Sequence, residues 1–209
     1  MPAEITWIGH ASFRLSDGNS VLYIDPWKLP DSPHDADVVF VSHPHFDHCS
    51  TDDIAKVAKE NTLVLTAVDT LVDLPEENML VPGDEMAVGE VVIKTVAAYN
   101  PAKEFHPRDN HWLGAIFTLG GRRVYYAGDT DLIDEMDDLQ GIDVALLPIG
   151  GKYTMNAAEA AEACERIGCA AAVPYHWGNV IGTDADAKSF ADSAPCTVHV
   201  LQPGQSVTA

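Results

Sequence analysis

The sequence predicts a layered α/β or α+β domain, on three observations. Short β-rich apolar runs recur along nearly the whole chain, separated by Gly, Asn, Asp and Pro turn signals. A few segments carry helix patterning with recognisable caps. Of the 209 residues 46% are hydrophobic, enough for a sizeable core. A chain of 209 residues suits one domain, 1–209, rather than two.

The elements follow in order. "ITWIGHASFRLS" (5–16) and "VLYID" (21–25) read as strands joined by the turn signal "DGNS". "DVVFVS" (37–42) is a continuous apolar run, the pattern of a strand buried on both faces. "STDDIAKVAKE" (50–60) reads as a helix, with Ser50 as N-cap and acidic residues in its first turn. "TLVLTA" (62–67) and "NMLVP" (78–82) are further strands, and "EMAVGEVVIKTVAAY" (85–99) is two strands about Gly89. "GAIFTLGGRRVYYAGD" (114–129) is a hairpin about Gly120-Gly121, and "DVALLPIGG" (143–151) a buried strand that ends in a glycine loop. "NAAEAAEACERIG" (156–168) is a helix with an Asn156/Glu159 capping box and Gly168 as its stop. "AAAVPYH" (170–176) is a strand, "TDADAKSFADSA" (183–194) a helix capped by Thr183, and "CTVHVLQP" (196–203) the final strand.

Charge and cysteines narrow the function. With 32 acidic against 12 basic residues the formal charge is -20, which repels nucleic-acid backbones and anionic membranes. A small-molecule substrate is therefore expected, with no nucleic-acid or membrane partner; a homo-oligomer is compatible with the sequence. The four cysteines, Cys49, Cys164, Cys169 and Cys196, form no CxxC pair, and reduced thiols in a cytoplasmic protein are expected. The start "MPAEITWIGH" lacks the basic and apolar regions of a signal peptide, and no apolar run reaches the ~20 residues of a membrane helix.

The chemistry lies in "VSHPHFDHCS" (41–50), where His43, His45, Asp47 and His48 crowd the end of a buried strand. Polar heads placed there destabilise the fold unless something engages them. Imidazole and carboxylate together suit zinc and similar divalent ions. His43 and His45, at spacing two, can point one way, and Asp47 and His48 another, which suits two neighbouring metals. The plain alternative is a His-rich polar turn; the multi-residue pattern after a strand argues against it.

"HPHFDH" resembles the HxHxDH motif of the metallo-β-lactamase-fold superfamily. "YYAGDT" resembles the later motif whose aspartate bridges two metals, here Asp129, and "VPYHWG" the motif whose histidine binds the second metal, here His176. "WIGHASFRL", "YIDP" and "LLPIGGKYTMNAAEA" resemble a subgroup of metal-dependent hydrolases akin to ascorbate-6-phosphate lactonase. The resemblance covers nearly the whole chain and implies a four-layer αββα sandwich. It also implies two divalent ions, zinc first, with manganese or iron as alternatives. His43 and His45 would hold the first, Asp47, His48 and His176 the second, and Asp129 would stand between them. The superfamily expects one more histidine where this chain has Asn100; His106 is the expected substitute, with His111 behind it.

Asp25 is expected to hold a ligand histidine from behind, and Asn100 to act from a similar place. His10 is expected to face the substrate, with Asp47 as the residue that orients the nucleophile and takes its proton. His34, His199 and Cys49 carry no motif. Lys103, Arg108 and Lys152 are rare cations near these segments and could hold an anionic substrate group. Lys152 does not belong to a P-loop, because the GxxxxGK frame is absent. Two ions sharing a water lower its pKa towards ~7, so the expected activity is hydrolysis of an ester, lactone or phosphodiester of a small anionic molecule. Two other readings compete: an iron-dependent oxidoreductase of the same fold, against which His45 counts because the di-iron members carry Glu there, and a non-catalytic metal-binding relic.

Overall fold

The computed structural model describes residues 1–71 and 73–209. The strands are β1 (Glu4–Gly9), β2 (Ser12–Ser16), β3 (Val21–Ile24) and β4 (Ala36–Val41), then, after helix α1 (Thr51–Val57), β5 (Ala58–Ala67), β6 (Met79–Leu80), β7 (Glu85–Val88), β8 (Val91–Ala97), β9 (Leu113–Leu119), β10 (Arg122–Tyr126) and β11 (Val144–Pro148). Helix α2 (Ala157–Ile167), β12 (Ala171–Tyr175), α3 (Asp184–Ser193), β13 (Thr197–Val198) and β14 (Ser206–Thr208) complete the chain.

Two seven-stranded sheets result, in the orders β14-β1-β2-β3-β4-β5-β6 and β13-β12-β11-β10-β9-β8-β7. Their facing surfaces share one large apolar core, where Phe13, Phe40, Phe117, Tyr126 and Tyr175 are fully buried. On the outer face of the first sheet, Ile54 and Val57 of α1 pack with Tyr23, Val39 and Val41. Helices α2 and α3 pack on each other and α2 meets β11 of the second sheet. The layers are therefore helix, sheet, sheet, helix, the αββα sandwich expected. Among the described residues no helix is long and apolar enough to cross a membrane.

Helix α2 has both hydrogen bonds of its Asn156/Glu159 capping box and stops at Gly168 in the left-handed conformation; α3 is capped by Thr183. Three elements differ from expectation. The run 5–16 is itself a hairpin, β1–β2, turning at His10-Ala11, with Gly9 and His10 at positive φ, 136° and 51°. Apolar alternation on both sides of the turn hid it. The helix after the histidines ends at Val57, because Ala58 and Leu63 to Thr66 pair with β4; sheet pairing outweighs the helix propensity of the Ala-Lys-Glu that follows. The last segment forms only the short β13, and the closing strand is β14, paired with β1.

Strand direction positions the site. β3 and β4 run parallel, as do β10, β11 and β12. Their carboxyl ends lie at one edge of the sandwich, and the loops that follow them carry Asp25, His43 to His48, Asp129, Gly150 to Tyr153 and His176.

Candidate metal centre

Asp25, fully buried, anchors the site from below. Its Oδ1 accepts from the Ser42 amide at 2.7 Å, and its Oδ2 accepts from the Ser42 hydroxyl at 2.5 Å, the Tyr126 hydroxyl at 2.6 Å and His48 Nδ1 at 2.7 Å. With its Nδ1 proton held there, His48 turns Nε2 to Asp129 Oδ1 at 3.3 Å. His43 Nδ1 donates to the Ser42 hydroxyl at 2.9 Å, leaving its Nε2 3.0 Å from His45 Nδ1. His106 Nδ1 donates to Asn100 Oδ1 at 2.5 Å and lies 3.1 Å from the Tyr153 carbonyl, so its Nε2 faces Asp129 Oδ2 at 3.3 Å. His176 Nε2 lies 3.2 Å from the same oxygen and 3.8 Å from Asp47 Oδ2. His48, His43 and His106 thus have one ring nitrogen fixed by the fold and the other turned inward, the arrangement of metal-ligating histidines.

Two groups of donors emerge, each with its ligand atoms within 4.8 Å of one another: His43, His45 and His106, and His10, Asp47, His48 and His176. Asp129 stands between them. The residues fit divalent ions on a direct observation. The Nε2 atoms of His48, His106 and His176 and Oδ1 of Asp129 are buried with no hydrogen-bond partner, which is destabilising unless a cation engages them. Their separations of 3.2–3.3 Å match neighbouring ligands about one small ion, about 3.3 Å apart for a tetrahedron with bonds of about 2.0–2.1 Å.

The charges of the centre act strongly on one another. Burial resists the ionisation of Asp129, but the histidines His176 and His48 outweigh it and hold the carboxyl well below the usual range. Burial also opposes charge on His48, and Asp129 and Asp25 outweigh it, raising that imidazole well above its usual value. His43 and His45 are pushed down by burial and by neighbouring imidazoles, which favours the neutral form that can ligate. Asp47 is held at about 2: burial opposes its charge, and the hydrogen bond from His10 and the proximity of His48 outweigh that.

Two glycines let the ligands approach. A Cβ on Gly128, at φ 70°, would stand 2.4 Å from the Leu113 carbonyl oxygen, just before Asp129. On Gly150 it would stand 2.7 Å from Ile181 and 2.9 Å from the His176 carbonyl oxygen.

The structure brings His106, and not His111, to the three-histidine group. The Asn100 amide donates to the His106 carbonyl at 2.7 Å, closing residues 100–106 into a loop that returns the histidine to the strand end. His111 is exposed and lines a separate cleft of about 740 Å³ beside Tyr99 and Arg108.

His10 departs from its expected place. It is buried and donates Nε2 to Asp47 Oδ2 at 2.8 Å, and it borders a different cleft, of about 460 Å³, with Trp7, Trp27 and Trp177. It holds Asp47 rather than facing the mouth above the donor groups.

Two of the three expected cations are placed otherwise, and the third stands beside a residue that rims the mouth. Lys103 is bound by the Asp131 carboxylate and the Thr154 carbonyl. Arg108 pairs with Glu135 at 2.7 Å over the Tyr99 ring, outside the mouth. Lys152 lies over the Tyr153 ring, 4.9 Å from its centroid. The mouth above the donors, about 230 Å³, is lined by His45, Asp47, His106, Asp129 and His176 and rimmed by Phe46, Phe105, Tyr153 and Val180.

Sequence reasoning missed Ser42, Tyr126, the Tyr153 carbonyl and Trp112, whose ring packs against His43, His45 and His106. It also missed the apolar rim. Tyr126, next to the AGD motif, Ser42, next to the histidine cluster, and Tyr153, within the glycine-loop motif, carried a local signal.

A two-sheet sandwich with paired His/Asp groups at the carboxyl ends of its strands, and an aspartate between them, defines the metallo-β-lactamase class of fold and site. The chain belongs to the β-lactamase superfamily: the model of the beta-lactamase superfamily domain matches residues 4–176. It is 32% identical to the UPF0173 metal-dependent hydrolase of Aeropyrum pernix, over 98% of this chain and 96% of that one. A crystal structure from Parabacteroides distasonis, 31% identical, superposes with a TM-score of 0.83 over 96% of this chain and 94% of the other. A metallo hydrolase of Ignicoccus hospitalis, 26% identical, does so with a TM-score of 0.81 over 100% and 99%.

Proposed function

We propose that the protein is a metal-dependent hydrolase with a two-ion centre, acting on a small neutral ester or lactone that carries an apolar group. The observation that carries the reading is Asp129, placed between two convergent donor groups whose inward nitrogens have no other partner. His43, His45 and His106 would hold one ion, Asp47, His48 and His176 the other, and Asp129 both. The relatives named as metal-dependent hydrolases support the activity. Zinc suits the nitrogen and carboxylate donors best, with manganese or iron as alternatives.

When bound, the ions lower the pKa of water and polarise the oxygen of the scissile group. The chain's own residues do the rest. Asp25 and Asn100 fix the ring orientations of His48 and His106. His10 holds Oδ2 of Asp47 at 2.8 Å, and Asp47 lines the mouth, where it orients the attacking water and takes its proton. Phe46, Phe105, Tyr153 and Val180 receive the apolar part of the substrate and exclude bulk water from the reacting group. Lys103 and Arg108 are paired elsewhere and Lys152 alone stands beside the rim, over Tyr153, so the apolar rim supports a neutral ester or lactone in place of the anionic substrate expected from the sequence.

The test is a panel of aryl and alkyl esters, lactones, an aryl phosphodiester and a β-lactam, assayed with zinc, manganese and iron. Turnover is expected for the apolar esters or lactones and should vanish with a chelator and return with metal. Turnover of the phosphodiester alone would refute the substrate assignment. An iron optical spectrum with no hydrolysis of any member would refute the hydrolase reading.

A further inference from the structure

Three of the four cysteines meet at one point, away from the centre described above. Cys164 lies on the buried face of α2, Cys169 follows the Gly168 turn that ends this helix, and Cys196 lies between α3 and β13. All three are free thiols whose sulfurs stand within 4.8 Å of one another, with Cys169 and Cys196 at 3.8 Å. Cys164 and Cys169 are 1% and 6% exposed, and Cys196 is half-buried, so solvent reaches the group from one side. β12 separates it from His176, a span of roughly 20 Å at ~3.3 Å per residue.

Convergence of two thiols at the end of α2 with a third from the α3–β13 connection exceeds what packing of small apolar side chains requires. Thiolates bound to one ion at about 2.3 Å stand about 3.8–4.0 Å apart. The Cys169–Cys196 separation already has that value, whereas a disulfide would need the sulfurs to close to about 2.05 Å.

We propose that Cys164, Cys169 and Cys196 form a second, all-sulfur metal site that takes a thiophilic divalent cation of the zinc type, with water from the Cys196 side as the fourth ligand. Three thiolates compensate a dication better than a monocation, because they leave less net charge in a largely buried place. Cys164 beside it draws the Cys169 thiol below its usual value, which favours loss of its proton when a cation arrives. Burial raises Cys196 to about 11, so cation binding must release further protons. The bound ion would tie the end of α2 to the α3–β13 connection.

Cadmium tests the site, because thiolate ligands give a near-ultraviolet charge-transfer band that histidine and carboxylate ligands do not. Fully reduced, chelator-treated protein is titrated with cadmium alone. The band should level off at the amplitude of one thiolate-bound cadmium per chain once all sites are filled, Cys169→Ser and Cys196→Ser should each remove most of it, and Cys49→Ser and His48→Ala should leave that final amplitude intact. Absence of the band in the reduced wild-type protein would overturn the proposal, whatever the folding of the variants. So would a band that survives in the Cys169→Ser/Cys196→Ser double variant and disappears with Cys49→Ser.

Discussion

The three-histidine group and the aspartate-histidine group share Asp129 yet differ in charge and in how they are held. The three-histidine group contains no carboxylate, and two of its rings are braced by neutral partners, His43 by the Ser42 hydroxyl and His106 by the Asn100 side chain. His48 is braced by the buried Asp25 carboxylate, and its group owns a second carboxylate in Asp47, itself held by His10. His45 is half-exposed at the mouth, while His48 and His176 are buried. A neutral group depends on Asp129 for all its charge compensation, so the two sites should respond unequally to the same change.

Asp129→Asn carries the largest expected effect. Hydrolysis should fall by about 10²–10³-fold, the scale of losing one preorganised charge-stabilising group, while the fold persists. Elemental analysis should show the three-histidine site emptied more than the other. Full activity with two ions retained would sink the shared role of Asp129.

Next come the single-site variants. His106→Ala should lose one ion and His48→Ala the other, and the two residual sites should differ in affinity. If either change empties both sites, or neither changes the metal count, the division into two groups is wrong.

The bracing residues come third. Asp25→Ala strands the donors of Ser42, Tyr126 and His48, so it should destabilise the fold by roughly 3–5 kcal/mol, the scale of breaking a buried charged pair. Metal affinity should also drop about 10–100-fold. Asn100→Ala removes one neutral acceptor and should destabilise by about 1–3 kcal/mol. Denaturant unfolding of the two variants checks the difference; equal losses would break the comparison of charged and neutral bracing.

The smallest effect belongs to the rim. Phe46, 68% exposed, contributes contact area and no polar group. Phe46→Ser should raise KM for an apolar ester by about tenfold and leave kcat nearly unchanged. A fall in kcat with KM constant would place Phe46 in the chemistry instead of the binding.

How legible the site was depends on how local its signal is. His43, His45, Asp47 and His48 lie within one turn of chain, and Asp129 and His176 each close a readable strand, so pattern and residue type sufficed to single them out. The loop that returns His106 was legible only in part: its prolines argue for a shaped loop, but the amide of Asn100 meeting the carbonyl of His106 is a distance between residues, invisible in a string. Lys103 and Arg108 misled because proximity in sequence does not give direction; Asp131 and Glu135 draw both ammonium and guanidinium away from the mouth. His10 misled for a related reason, since the His10-Ala11 turn aims its ring at Asp47 from behind.

The sequence by itself determined the layered class, most of the strands, the caps of the three helices and the residue types that can hold metal. These follow from periodicity, capping and donor chemistry, which act over a few residues. Only the tertiary structure decided which donors gather into each group, that Ser42 and Tyr126 meet Asp25, that the rim of the mouth is apolar, and that Cys196 meets the thiols at the end of α2. Each of these depends on strand order and register across two sheets, where a shift of one residue turns a side chain to the opposite face.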